Sequence, residues 1–143
     1  MYWDQGDVMN IIICVDKSNG MMFNNRRQSQ DRQVLAKILE ITEGARLLMS
    51  EYSYQMFSET VSNIIANNSF LSQAQDGDFC FIENTDMPTE KIESVFIFNW
   101  NRDYPADKYF TIDLKLTGFK KVKKEEFVGY SHKKITLEIY RRV

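Results

Sequence analysis

Histidine occurs once in this chain, cysteine and proline twice each, and glycine only six times in 143 residues. Each scarcity excludes something. One histidine, His132 between Ser131 and Lys133, cannot build the histidine and aspartate clusters of zinc hydrolases. Its place in a basic hairpin predicts a surface position, so no Ser-His-Asp or Cys-His arrangement is expected from it. Cys14 and Cys80 each lie inside an apolar, strand-like run without metal-ligand spacing. They are expected to be buried reduced thiols, which fits a cytoplasmic protein with no metal site. No apolar run approaches the length of a membrane span. Met1 to Asn10 is acidic and lacks the basic flank of a signal peptide. There is no P-loop, internal repeat or low-complexity tract. What is present, 43% hydrophobic and 13% aromatic residues, can fill the core of one ordinary domain.

Charge is placed unevenly. From Leu114 to Val143 there are nine Lys or Arg against three Glu, whereas the rest of the chain holds nine basic and seventeen acidic residues. The basic hairpin Lys120 to Lys134 could attract an acidic protein partner. Lysines that guard an edge strand against aggregation explain the same run. Nucleic acid is not an expected partner.

Residues 1–9 read as a polar leader and residues 10–143 as a single domain. The run Asn10 to Asp16 is continuously apolar between its polar end residues, as a strand covered on both faces requires. Lys17-Ser18-Asn19-Gly20 is turn chemistry. Met21 to Phe23 form an apolar patch within a loop. A helix capped by Ser29 runs to about Thr42, with Val34, Leu35 and Ile38 on one stripe, and Gly44 ends it. Further strands are expected at Ala45 to Met49, Ser62 to Ala66, Asp78 to Ile82 and Ser94 to Trp100. Helices are expected at Glu51 to about Glu59, at Phe70 to Gln75, and as one turn from Pro88. Phe119 to Phe127 and Lys133 to Arg141 make an antiparallel hairpin, the second strand half-buried because Ile135, Leu137 and Ile139 alternate with polar residues. The fold class is therefore three-layer α/β, with a mixed, mostly parallel sheet and a C-terminal antiparallel hairpin. The central strands are Ile11 to Val15, Leu47 to Met49, Phe79 to Ile82 and Val95 to Phe98.

The stretch Asn24 to Arg32 puts three arginines and one aspartate into nine residues, at a junction between strand and helix. Such junctions often carry sites in α/β proteins. Arg26, Arg27 and Arg32 could clamp a phosphate or carboxylate. Asn24, Asn25, Gln28 and Gln30 could read an amide or base edge. If the sheet is parallel here, Glu51 and Tyr52, and Glu83 and Asn84, face them from neighbouring loops. Asp31 lies on the apolar stripe of its helix, so it is expected to be at least half buried, with Arg26 and Arg27 as donors. It either serves the first turn of the helix or faces a ligand as the catalytic carboxylate.

Taken together, these segments resemble dihydrofolate reductase. Ile11 to Asn25 is similar to that family's first strand and loop, and Ala45 to Tyr54 to its second strand and helix. Ser94 to Trp100 is similar to its late buried strand. Asp107-Lys108-Tyr109-Phe110-Thr111-Ile112-Asp113 resembles its aromatic pair and following segment. Gly118 to Val122 and Ile135 to Arg142 resemble its last two strands. The resemblance implies that Asp31 stands where the family keeps its active-site carboxylate. Three departures go with it. The family's basic phosphate-binding turn reads Ser50-Glu51-Tyr52-Ser53 here, its cofactor glycines are replaced by Glu83-Asn84-Thr85, and the middle of the chain is shortened. A carboxylate there would repel a pyrophosphate, so the cofactor is left open and NADPH in the family manner is not expected. A vaguer likeness, to small bacterial proteins that carry the name ribonuclease Z, meets the same single histidine and lacks that enzyme's metal ligands.

The expected function is a dihydrofolate reductase-like domain that is not a folate reductase. It would bind an anionic or nucleotide-like small molecule at Asn24 to Arg32. Alternatives are an enzyme of altered chemistry, reductase or hydrolase, on such a ligand, or an interaction module that uses the basic hairpin.

Overall fold

A computed structural model describes residues 8–57, 63–87 and 89–143. Its frame is a seven-stranded sheet in the order β5-β4-β6-β1-β7-β10-β9. The parallel strands are β1 (Met9–Val15), β4 (Leu47–Met49), β5 (Ile64–Ala66), β6 (Phe79–Phe81) and β7 (Ile92–Asn99). The antiparallel pair β9 (Phe119–Phe127) and β10 (Ile135–Arg142) closes one side, with β10 against β7. A small second sheet joins β2 (Gly20–Phe23), β3 (Arg26–Arg27) and β8 (Lys108–Tyr109). The patch Met21 to Phe23, expected in a loop, is thus a strand, and Met21 and Met22 are core residues.

The central position of β1 follows from its composition. Ile11, Ile13 and Val15 point into one apolar layer with Met21, Met22, Phe70 and Phe110, while Ile12 points into the other with Val34, Ile38, Phe81 and Phe98. A strand whose two faces are both covered must be apolar on both, which is why its sequence does not alternate. The first layer is closed partly by α3 (Phe70–Gln73), the second by α1 (Arg32–Ile41). Each fully buried aliphatic side chain of β1 contributes roughly 1.5–3 kcal/mol of hydrophobic stabilisation.

Several local expectations are corrected. Asp31, not Ser29, caps α1: its backbone is extended and its carboxylate accepts from the Gln33 amide. The helix after β4, α2, spans only Glu51–Tyr54, with Gln55 to Phe57 in a turn and part of the expected span outside the described residues. Pro88 and the polar leader before Val8 also lie outside them; a 3-10 turn occupies Thr89–Lys91. β10 is paired on both edges, by β7 and β9, and keeps the expected alternation, with Ile135, Leu137 and Ile139 buried and Glu138 and Tyr140 only partly so; Thr136 alone of its polar face is buried. The long edge strand is β9, where Lys120, Lys121, Lys123 and Lys124 are exposed, as protection of an open edge requires. Among the described residues no helix is long and apolar enough to cross a membrane.

Topology decides which loops meet. The carboxyl ends of β1, β4, β6 and β7 share one edge because the strands are parallel. β10 runs against β7, with Thr136 opposite Asn99, so the β9–β10 turn arrives at that same edge.

Candidate functional site

Asp31 is 3% exposed and its carboxylate is saturated. Oδ1 accepts from the amides of Gln33 at 2.8 Å and Tyr130 at 2.9 Å. Oδ2 accepts from the Ser131 amide at 2.8 Å, the Ser131 hydroxyl at 3.2 Å and His132 Nδ1 at 2.8 Å. Five donors thus converge on two oxygens. Burial alone would raise the Asp31 pKa. The amide of Tyr130, the His132 ring and the amides of Ser131 and Gln33 outweigh it and hold the carboxyl well below its ordinary range. Gly129 completes the cradle: a Cβ there would stand 2.7 Å from Asp31 Oδ2 and 2.9 Å from the His132 carbonyl oxygen.

Two sequence expectations change here. Arg26 and Arg27 are not the donors to Asp31; the hairpin turn supplies them, because the antiparallel β10 delivers that turn to the edge. His132 is not a surface residue either. It is 6% exposed, stacked on Trp100 with ring centroids 4.7 Å apart. Since Nδ1 donates to the Asp31 carboxylate, Nε2 of the neutral ring is an acceptor. Two hydroxyls approach it, Ser29 Oγ at 3.0 Å and Tyr104 at 3.2 Å. A Ser-His-Asp chain of hydrogen bonds therefore does exist, contrary to what a single histidine in a basic hairpin suggests. A hairpin packed antiparallel onto a parallel strand must place its turn at the carboxyl edge, and that is the signal that could have found it.

A second buried carboxylate, absent from the sequence candidates, organises the neighbouring loops. Asp16 is 1% exposed. It accepts from the amides of Ser18 at 2.9 Å, Gly20 at 2.8 Å and Tyr104 at 3.1 Å, and from Gln28 Nε2 at 2.9 Å. Burial raises its pKa, and the amides of Gly20, Tyr104 and Ser18 with the Gln28 side chain bring it below the ordinary value. Gln28 Nε2 also donates to the Pro105 carbonyl at 3.3 Å. With both acceptors on the nitrogen side, the amide orientation is fixed, and Oε1 is left buried with no donor among the described residues.

Of the residues singled out by sequence, three come together. The Arg27 guanidinium pairs bidentately with Glu83, Nε to Oε2 at 2.9 Å and an η-nitrogen to Oε1 at 3.0 Å. It lies 4.2 Å above the Tyr52 ring and donates to the Tyr52 carbonyl. The Ser53 hydroxyl donates to Glu83 Oε1 at 2.7 Å. The other candidates stand apart from this cluster. Arg32 stacks on Tyr130 at 4.6 Å, and Arg26 is exposed, so the three arginines do not form one clamp. Asn24 and Asn25 carry φ of 55° and 61° in the two-residue β2–β3 loop, as a type I′ hairpin turn demands. Glu51 engages Asn68 through its amide, and Asn84 is exposed. Cys14 is half-buried and Cys80 buried; burial pushes both thiols up, Cys80 to about 12, so neither is a nucleophile at neutral pH.

Between α1 and the strand ends lies a cavity of about 20 Å³, lined by Cys14, Gln28, Ser29, Phe81, Glu83 and Trp100 among others. That is room for about one water molecule. A wider groove of about 810 Å³ opens beside it along Arg32, Leu35, Ala36, Leu39, Met56 and Tyr130.

No protein-family model matches the chain, and no curated protein matches it in sequence. Among solved structures it is similar to dihydrofolate reductase from Enterococcus faecalis complexed with NADP(H) and RAB-propyl. The TM-score is 0.68 at 12% identity, over 94% of this chain and 96% of that one. The fold is that of dihydrofolate reductase. Within this dihydrofolate reductase-like frame, Glu83 is held by Arg27 and Ser53 across the sheet edge. Asp31, with five donors on its two oxygens, has no free lone pair for a ligand.

Proposed function

We propose that the protein is a small-molecule binder on a dihydrofolate reductase-like fold, with its site at the Asn24 to Arg32 junction, and that it does not reduce dihydrofolate. The observation that carries this is Gln28 Oε1, a buried acceptor without a donor among the described residues, beside a cavity at the carboxyl edge. A buried unpaired acceptor costs about 1–3 kcal/mol, which a ligand N–H relieves. The ligand therefore offers an N–H edge, as a nucleobase or amide does, together with an anionic group. Arg26, exposed and without an ion pair among the described residues, is the cation free to meet that group at the rim. Arg27 is committed to Glu83 and holds the loop.

Reduction of folate is disfavoured by two facts about charge. Asp31 would have to surrender a donor to receive a pteridine N–H, and Glu83 puts a carboxylate at the sheet edge where a pyrophosphate would have to approach. NADPH absorbance is expected to stay constant with dihydrofolate and enzyme present; enzyme-dependent loss would refute this part. A thermal-shift screen of nucleotides, folates and sugar phosphates tests the binding. A true ligand at 100 times its Kd adds ~2.7 kcal/mol of stability. Arg26→Ala should keep the unliganded melting temperature and lose most of the shift. No shift with any N–H-bearing anion would count against the site.

The basic hairpin carries less weight as an interaction surface. Lys121, Lys123 and Lys134 already pair with Glu138, Glu125 and Glu126, which leaves less free positive charge than the sequence count suggests.

A further inference from the structure

The hydrogen-bond chain from Asp31 through His132 to Ser29 has a chemical consequence that does not rest on ligand binding at Gln28. We infer that Ser29 is a base-activated nucleophile that takes short acyl groups from esters. The geometry has the parts that such activation needs. Asp31 Oδ2 holds His132 Nδ1–H at 2.8 Å and so fixes the tautomer. Trp100 fixes the ring plane. Ser29 Oγ stands 3.0 Å from the free Nε2. Ser29 is partly exposed, while the histidine and aspartate are buried, so the hydroxyl is the member of the chain that a substrate can reach.

The size of the acyl group follows from the cavity that Ser29 lines. At about 20 Å³ it admits a group near the size of a methyl, which points to an acetyl ester whose alcohol stays in solvent. In the first step Ser29 Oγ bonds to the carbonyl carbon, its proton passes to His132 Nε2, and the C–O bond to the alcohol breaks as that proton moves to the leaving oxygen. In the second step a water gives its proton to Nε2 and bonds to the acyl carbon. The Oγ–C bond then breaks, acetate leaves, and Ser29 recovers the proton. Asp31 stays ionised throughout and positions the ring.

Tyr104 makes the idea sharper. Its hydroxyl lies 3.2 Å from the same Nε2, and a neutral imidazole has one acceptor lone pair there. Tyr104 and Ser29 therefore compete, and Tyr104 restrains the serine.

The test is covalent labelling of the native full chain with a fluorophosphonate probe, read by intact mass and peptide mapping, with 4-nitrophenyl acetate hydrolysis in parallel. One adduct, on Ser29, is expected, and it is lost in Ser29→Ala. Tyr104→Phe should label about twofold faster or more, because one of the two donors sharing the lone pair is gone. A folded His132→Gln variant should label at least ~100-fold more slowly, the usual contribution of a general base. No adduct, an adduct on another serine, or a wild-type rate in folded His132→Gln would overturn the inference. If His132→Gln does not fold, Tyr104→Phe decides, and a rate no higher than wild type overturns it.

Discussion

Asp16 and Asp31 solve the same physical problem in neighbouring loops and reach different ends. Both are buried carboxylates held ionised by backbone amides, and each sits against a glycine whose Cβ would collide with it, Gly20 at 2.9 Å and Gly129 at 2.7 Å. Each also accepts from one side chain that reaches onward. At Asp16 that side chain is Gln28, an amide whose far end is an acceptor with nothing to accept. At Asp31 it is His132, a ring whose far end meets two hydroxyls. The shared feature fixes loops; the difference, amide against imidazole, makes one centre fit for recognition and the other for proton transfer.

The largest expected break in this comparison is Asp31→Asn. It takes the charge away from five donors and turns an amide nitrogen toward some of them, so stability should fall by about 3 kcal/mol or more, from the upper range for hydrogen bonds to a charged group. For a chain of this size that is a melting temperature lower by about 10 °C or more. Asp16→Asn, whose partners are all neutral amides, should lose only about 1.5–3 kcal/mol in chemical denaturation. Equal losses would erase the distinction between the centres. Gly129→Ala presses a methyl into Asp31 and backbone, and an overpacking loss of about 1–3 kcal/mol is expected.

Acid sharpens the likeness of the two centres. Both carboxyls have folded-state pKa values below the ordinary 3.8. A depressed carboxyl contributes stability that is fully present above its unfolded pKa and is lost as pH falls toward the folded one. Unfolding free energy should therefore decline below about pH 4, and each Asn variant should show a shallower decline. A slope unchanged in both variants would mean that other carboxylates dominate. The smallest effect should be Arg26→Ala, an exposed change outside both centres, within about 0.5 kcal/mol by denaturation. Lys121→Ala should be similarly mild, ~0–1 kcal/mol, because its pair with Glu138 is solvent-exposed.

Much of the frame was legible in the residues. The apolar runs at Ile11 to Val15 and Val95 to Phe98 could only be covered strands, and Gly129 between two β-patterned segments marked the hairpin. Asp31 is buried as its spacing from Val34 and Ile38 suggests, but for another reason: it stands just outside the helix with extended backbone, and the hairpin turn covers it. Its partners were not legible: the nearby arginines looked like natural donors, whereas the donors that matter lie about a hundred positions away, His132 at a separation of 101. Residue type points to Ser29 as the cap, and the structure uses Asp31, for a related reason. Both residues are good caps by type, and only the path of the chain from β3 shows which carboxylate or hydroxyl reaches the first free amide.

What the sequence by itself determined is set by short-range physics. Periodicity chose strand or helix, Asn24 and Asn25 accepted the positive φ of a tight turn, and apolar content decided which strands lie in the middle. What only the tertiary structure decided is which polar groups end up facing each other. Parallel strands gathered four loops at one edge, and an antiparallel β10 brought the turn that carries His132 to the same place. Burial there removed water as an alternative partner, so Asp31 and His132 found each other, and so did Arg27 and Glu83, pairings that no local pattern encodes.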